Sequence, residues 1–374
     1  MQHVRELSAK LKAKKGFSLN MLIGLDGFVD EIIHLVDKRI DFDNFIRIRT
    51  IAEYGERISR AAGLSTNIEM VTVQTKLGGN GPILSNALLD LGVCLTYMGI
   101  LGKPDIHPVF RPMAQKAKAV YSLGQPGYSD ALEFDDGKII MGKHFSLREI
   151  TWDVYKEGMG GIENIALLIS QNDLFGMENW TMMPFMSDIW QGLIDEVFPL
   201  LPYSAKKPLA FFDLADPEKR TGEDIARAAS LISRFEEKFR VILGLNEKEL
   251  YEIAKVLEIP DFAGSERLKK TTMSLYEKLG IHCLTVHPVR CACCVIDGEY
   301  YFSEGLYCEK PKLTTGAGDN YNAGFCLGFA LGLDPLLTLA LSMSASGYYV
   351  RNAKSPTLDE LIAFADDWAC GKPI

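Results

Sequence analysis

The segment Thr314-Thr-Gly-Ala-Gly-Asp319 is the part of the chain best equipped for chemistry. It runs into an apolar stretch over 321–331 that reads as a buried helix. Gly316 and Gly318, with Ala317 between them, let the backbone take open dihedrals, so successive N–H groups beside Thr315 can converge on one spot. The start of the helix adds about half a positive charge there. Together these features make an anion hole suited to a phosphate group. Asp319 falls in the first turn, where its carboxylate can take the proton of a hydroxyl held beside that anion. The competing use is a plain helix cap, a common role of Asp, and the loop alone does not separate the two.

Three further groups carry potential chemistry. Gly78-Gly-Asn-Gly-Pro82 precedes a helical run over 83–91 that ends at Gly92; a lone double glycine is more often an ordinary turn. Leu245-Asn-Glu-Lys-Glu-Leu250 follows a strand-like stretch over 241–243, and its Asn246 and Glu249 fit either a helix cap with Glu at the third position or a site that organises water and Mg²⁺. Asp26 and Asp30 stand in the segment that follows the first apolar run. A carboxylate accepts two hydroxyl hydrogens at once, which suits a polyol.

Taken in this order, the motifs resemble those of the PfkB, or ribokinase-like, carbohydrate kinase family, and the resemblance extends over about residues 21–368. It implies MgATP-dependent transfer of a γ-phosphoryl group to a hydroxyl of a sugar or related alcohol. It makes Asp319 the general base and Gly316, Ala317 and Gly318 the catalytic anion hole. Thr315, Asn246 and Glu249 then bind the nucleotide, with Glu249 reaching Mg²⁺ through water. Asp30, Gly79, Asn80 and Asn172 fall on the acceptor, with Asp26 as the rival of Asp30. The nearest variant is a nucleoside or vitamin kinase of the same fold. A reading from another class is a non-catalytic sugar or nucleotide sensor, against which the intact Asp319, Asn246 and Glu249 speak.

The sequence also departs from the family pattern. Leu313 replaces the acidic residue that often precedes the Thr-Thr pair, which removes a side-chain oxygen of the monovalent-cation site found in some relatives. Ile83 stands where many relatives carry Asn, so a sugar contact is lost there. The stretch over 285–292 lacks the glycines that relatives use near the nucleotide, which leaves His287 or Arg290 to reshape that wall. Residues 41–63 form an extra helix-like insertion that bears on the lid or on a contact between copies.

The elements that must position these residues alternate between strand-length apolar runs and helical segments. Strands are expected over 20–25, 93–100, 165–170, 208–213, 241–243 and 282–286. Runs that are apolar on both faces, such as 165–169, belong in a parallel sheet covered by helices on each side. The expected fold is therefore a three-layer α/β core with a mostly parallel sheet. Residues 67–76 and 130–144 alternate like strands with no helix between, and Asp135-Asp-Gly-Lys138 signals a hairpin. These pieces suit a small β lid drawn from segments near 28–76 and 120–150 of one unit spanning 1–374. An amphipathic helix over 1–15 is expected to bury Leu7 and Leu11.

Composition excludes other classes. The 374 residues carry 40 basic and 49 acidic side chains, a net charge of −9, which is a poor match to nucleic acid or an anionic membrane. No apolar stretch approaches the roughly 18–20 residues that cross a bilayer, and the N-terminus lacks a signal-like apolar segment. The eight cysteines are scattered in a chain large enough to need no staples, which points to free thiols in a reducing cytoplasm. Cys291, Cys293 and Cys294 lack zinc spacing and read as part of a buried strand. The expected partners are a small sugar and ATP with Mg²⁺, and a second copy of the chain through the lid.

Overall fold

A computed structural model describes residues 2–203 and 207–372; Met1, the first residue of the expected N-terminal helix, lies outside them. Fourteen strands are present among these residues: β1 (Asn20–Gly24), β2 (Phe28–Arg39), β3 (Phe45–Arg47), β4 (Met70–Gly78), β5 (Cys94–Gly99), β6 (Ala119–Ser122), β7 (Gly127–Phe134), β8 (Gly137–Lys143), β9 (Leu174–Glu178), β10 (Leu209–Asp213), β11 (Arg240–Leu245), β12 (Cys283–Val286), β13 (Cys291–Ile296) and β14 (Glu299–Glu304). Nine of them form one sheet in the order β14-β13-β12-β11-β10-β9-β1-β5-β6. It is parallel from β12 through β6, and β13 and β14 add an antiparallel edge.

Strands β9 and β10 are buried at every position, as a sheet covered on both faces requires. Phe211 and Phe212 are neighbours in sequence, yet they serve opposite cores because side chains alternate across a strand. Phe212 joins Trp190, Phe235 and Phe239 on one face, while Phe211 joins Tyr97, Phe325 and Leu341 on the other. The N-terminal helix Gln2–Lys14 buries Leu7 and Leu11 against the second core, and Lys12 pairs with Asp366 on the helix Leu358–Ala369.

A second sheet is ordered β3-β2-β7-β8, with β4 also paired to β2. In its register Asp30 of β2 stands between Lys76 of β4 and Ser129 of β7. Its own core consists of Ile33, Leu35, Ile48, Leu132 and Phe134. The insertion over 41–63 supplies β3 and the helix Ile51–Arg60, which a Thr50–Glu53 capping box starts.

One expected strand is a helix. Residues 165–170 belong to the helix Ile162–Ser170, which buries Ile165, Ala166 and Ile169 and leaves Leu167 51% exposed. A short apolar run fits either element, and here the period of 3.6 wins over continuity. The strand that the sheet uses instead is β9. The cysteine triplet lies in β13 as expected, with Cys293 and Cys294 buried as free thiols.

Candidate active site

Of the predicted segments, Asp26 follows β1, Gly79 and Asn80 follow β4, Asn246 follows β11, the 314–319 turn follows β14, and Asp30 lies within β2. The 314–318 turn opens the helix Ala317–Ala330 with Gly316 at the N-cap in the left-handed region (φ 92°). A side chain at Gly316 would stand 2.7 Å from the Tyr349 hydroxyl, which itself donates to the Thr315 carbonyl at 2.9 Å. The Ala317 N–H is engaged by the Thr314 carbonyl at 3.1 Å and the Asn320 N–H by the Gly316 carbonyl at 3.1 Å, which leaves the Gly318 N–H for a ligand. Packing holds the turn in place: the helix is buried from Asp319 through Gly328, and Gly324 lets it approach the Ser342 backbone of the helix Pro335–Asn352.

Asp319 is the third residue of that helix and is 7% exposed. The N-cap position belongs to Gly316 and makes no side-chain cap, so Asp319 is not the cap. Burial, with Asp213 and Asp26 nearby, holds its carboxyl well above the ordinary range.

The double glycine is shaped by the two rival acids. Asp26 is fully buried; it accepts N–H bonds from Asn80 (3.0 Å) and Gly81 (2.9 Å) and from the Asn179 amide (2.6 Å). It thus anchors the start of the helix Asn80–Asp90, a favourable place for an anion, and burial outweighs these bonds to push its pKa up to about 7. A side chain at Gly79, whose φ is 94°, would meet the Asp26 carboxylate at 2.7 Å, and one at Gly78 would overlap the Asp30 carboxylate. Asp30 instead lines a cleft of about 860 Å³ together with Gly79, Asn80, Ile83, Asn179 and Thr315. Burial raises its pKa, offset by a hydrogen bond from Ser129 and by the charges of Lys138 and Lys76.

A second cavity, of about 330 Å³, is lined by Thr314, Ala317, Gly318, Asn246 and His287 together with Leu306, Tyr307 and Val350. Asn246 caps the helix Glu247–Val256 in a full capping box: its side chain accepts the Glu249 N–H at 3.0 Å, and Glu249 accepts the Asn246 N–H at 2.8 Å. The remaining Glu249 oxygen takes the Asn246 amide at 2.6 Å. Glu249 is buried beside Asp213, and both effects raise its pKa.

Asn172 lies elsewhere. It precedes β9, donates to the Leu168 carbonyl, and lines a separate cavity with Asp173, Leu201 and Arg240. The cause is the strand displaced from 165–170 to 174–178, which puts Asn172 at the amino end of the sheet and Glu178 and Asn179 at the carboxyl end. Glu178 and Asn179 were missed, as was Asp213. Glu178 is fully buried beside Asp213, its register partner on β10, and neither of its carboxylate oxygens has a hydrogen-bond partner among the described residues. Reading the period of 162–170 as helical would have moved the strand and found them. Lys76, Lys138 and Lys219 also line the cleft; they are separated in sequence, and only the fold collects them.

Comparison with known proteins gives the same frame. The chain is 27% identical over 350 residues to a ketohexokinase of Haloferax volcanii, covering 93% of this chain and 91% of that protein. Its fold matches Escherichia coli phosphofructokinase-2 (TM-score 0.65, 12% identity, 94% of this chain and 99% of the other). It also matches Arabidopsis thaliana ribokinase solved with ribose and ATP (TM-score 0.61, 14% identity, 93% and 99%). The family model for prokaryotic ketohexokinase matches residues 2–368. With a glycine turn whose residues line two cavities and a match that runs nearly end to end, the chain belongs to the prokaryotic ketohexokinase family, and so to the PfkB, ribokinase-like carbohydrate kinases, ATP-dependent enzymes that phosphorylate a sugar hydroxyl.

Proposed function

We propose that the chain transfers the γ-phosphoryl group of MgATP to a hydroxyl of a ketohexose. The observation that carries this reading is the 314–318 turn between two cavities, with Thr315 on the larger and Thr314, Ala317 and Gly318 on the smaller. The nucleotide occupies the smaller one, its phosphates on the N–H groups of Thr315, Gly316 and Gly318, the Ala317 N–H being taken by the Thr314 carbonyl. The acceptor occupies the larger one, with Asp30 taking its hydroxyl hydrogens and Gly79 and Asn80 lining its path.

Asp319 accepts the proton of the attacking hydroxyl as the oxygen bonds to the γ-phosphorus and the bond to ADP breaks. The anion hole holds the transferred charge while this happens. Mg²⁺ neutralises the phosphates when bound. Asp213 and Glu249 would hold such an ion through its water shell, since both are buried acids and the Asp213 charge acts on Glu249. Glu249 has both oxygens engaged by Asn246, so it meets such an ion through water, as does Asn246 at the cavity wall.

The second sheet acts as the lid over the acceptor, and its exposed Met70, Val73 and Ile46 suit contact with a second copy. Eight free thiols suit a reducing cytoplasm.

The test is incubation with MgATP and a panel of ketohexoses, aldohexoses, pentoses and nucleosides, following ADP. Ketohexose-dependent ADP release, with a phosphorylated ketohexose identified by NMR, is expected. Turnover confined to nucleosides would overturn the acceptor assignment.

A further inference from the structure

His287 is the one group of the departing 285–292 stretch that the structure brings to the phosphate end of the smaller cavity. It follows β12, and its backbone N–H is pinned to the Leu245 carbonyl at 3.0 Å, so the residue is carried by the sheet. Its ring packs against Tyr321 with centroids 4.7 Å apart, and the Tyr321 hydroxyl is fixed in turn by Thr285 at 2.8 Å. The ring edge stands over the anion turn: a side-chain carbon at Gly318 would lie 3.3 Å from its Cε1 and 3.7 Å from its Nε2.

Asn246, Thr314 and Gly318 line this cavity with His287, and Leu306, Tyr307, Met343 and Val350 add apolar walls suited to a base. The ring's hydrogen-bond partner is the backbone of His287 itself, and no other side chain among the described residues pairs with either imidazole nitrogen. Burial pushes the pKa down to about 4, so the ring is neutral near pH 7 and carries one N–H donor and one acceptor.

We infer that His287 is a nucleotide-binding residue of this chain, its imidazole N–H donating to a phosphate oxygen held at the 314–318 turn; the inference rests on the nucleotide placement proposed above. Where a glycine would leave only backbone, a side-chain donor is added to the anion hole. A side chain at 318 would crowd the ring edge, since its first carbon already lies in tight contact with Cε1.

The experiment compares wild type with His287→Phe, His287→Ala, His287→Gln and the cavity-filling Ser346→Trp. MgADP and adenosine binding are measured by calorimetry, and the KM values for ATP and sugar are measured with kcat. Loss of a hydrogen bond to a charged group predicts weaker MgADP binding and a raised ATP KM by roughly ten- to a hundredfold in His287→Phe. Adenosine affinity, sugar KM and kcat should hold, and Gln, which keeps a donor, should restore most of the loss. His287→Ala gives the same answer if the Phe variant does not fold. Ser346→Trp should abolish binding of both ligands. If it does so while His287→Phe binds MgADP normally, the role of His287 is overturned and the cavity assignment stands. Equal losses on adenosine and MgADP, or no rescue by Gln, also overturn it. Normal nucleotide binding by Ser346→Trp overturns the nucleotide placement itself.

Discussion

The two halves of the site are built to different standards of rigidity. The phosphate half is a turn fused to a helix buried from Asp319 through Gly328, backed by the helix Pro335–Asn352 and by the ends of β9, β10 and β11. The acceptor half stands on a sheet whose private core is five residues, and it is laced at the surface by ion pairs such as Lys143–Asp130 and Arg47–Asp135. Exposed ion pairs contribute little, so the acceptor half is the one able to open and close. Phosphoryl transfer needs donors fixed before the charge arrives, whereas the acceptor must enter and then be shielded from water. The fold thus separates preorganisation from access.

The largest effect belongs to the fixed half. Asp319→Asn keeps size and polarity but cannot accept the hydroxyl proton as a carboxylate does, so kcat should fall by roughly 10²–10⁴-fold. MgADP affinity should stay near wild type, because the anion hole is backbone. Steady-state kinetics and calorimetry on the folded variant decide the matter; near-normal turnover would remove Asp319 from the chemistry.

Next comes the difference in packing. Phe211 is fully buried in the main sheet, and Phe211→Ala should lower global stability by about 3–5 kcal/mol. Phe134 is 8% exposed in the small core, and Phe134→Ala should leave the main thermal transition nearly in place. Its expected signature is faster amide exchange confined to β2, β4, β7 and β8, with a raised KM for the sugar. Equal loss of global stability in both variants would show the two sheets to be one cooperative unit and erase the contrast.

What the sequence disclosed follows the same division. The local geometry of the 314–319 and 246–249 segments was legible because each carries a backbone requirement in its residue types: a positive φ at Gly316, and a capping box at Asn246 and Glu249. Asp30 and Gly79 were legible as a pair, though the reason for the double glycine, two carboxylates pressed against it, needed coordinates. Glu178 and Asn179 were not found because a helix over 162–170 and a strand over 174–178 are both short and apolar, and local pattern alone did not rank them. The lysines of the cleft come from β4, from β8 and from the loop after β10, and no spacing in the chain announces that meeting.

Asp30→Asn probes the compliant half at the residue proposed to hold the sugar. Replacing a charged acceptor by a neutral amide should raise the KM of the sugar by roughly ten- to a hundredfold with nucleotide affinity unchanged. Asp26→Asn is the control. It disturbs the three bonds that seat the helix Asn80–Asp90, so its loss should appear in thermal stability as well as in KM. A variant at Asp30 that binds sugar normally, beside one at Asp26 that does not, would reverse their roles.

The smallest effect is also the one that distinguishes the halves by charge. Burial raises the pKa of Asp26, Glu178, Asp213, Glu249 and Asp319 above the ordinary carboxylate range. A carboxyl raised in the folded state holds its proton more tightly there than in the unfolded chain. Its contribution to stability is complete below the unfolded value near 4 and is lost as pH rises through the folded value, which for Asp26 is about 7. The ligand-free protein should therefore become less stable as pH rises from about 5 to 8, with a slope of about 1.4 kcal/mol per pH unit for each such group. Glu178→Gln removes one of them without breaking any bond to its oxygens, since neither has a partner among the described residues. Thermal melts between those limits should show a shallower decline in Glu178→Gln than in wild type. Asp30→Asn should change the slope less, because the charges of Lys138 and Lys76 already offset burial at Asp30. If the Glu178→Gln and wild-type slopes coincide, Glu178 is ionised in the folded and unfolded states alike over the whole window, and burial does not hold its proton.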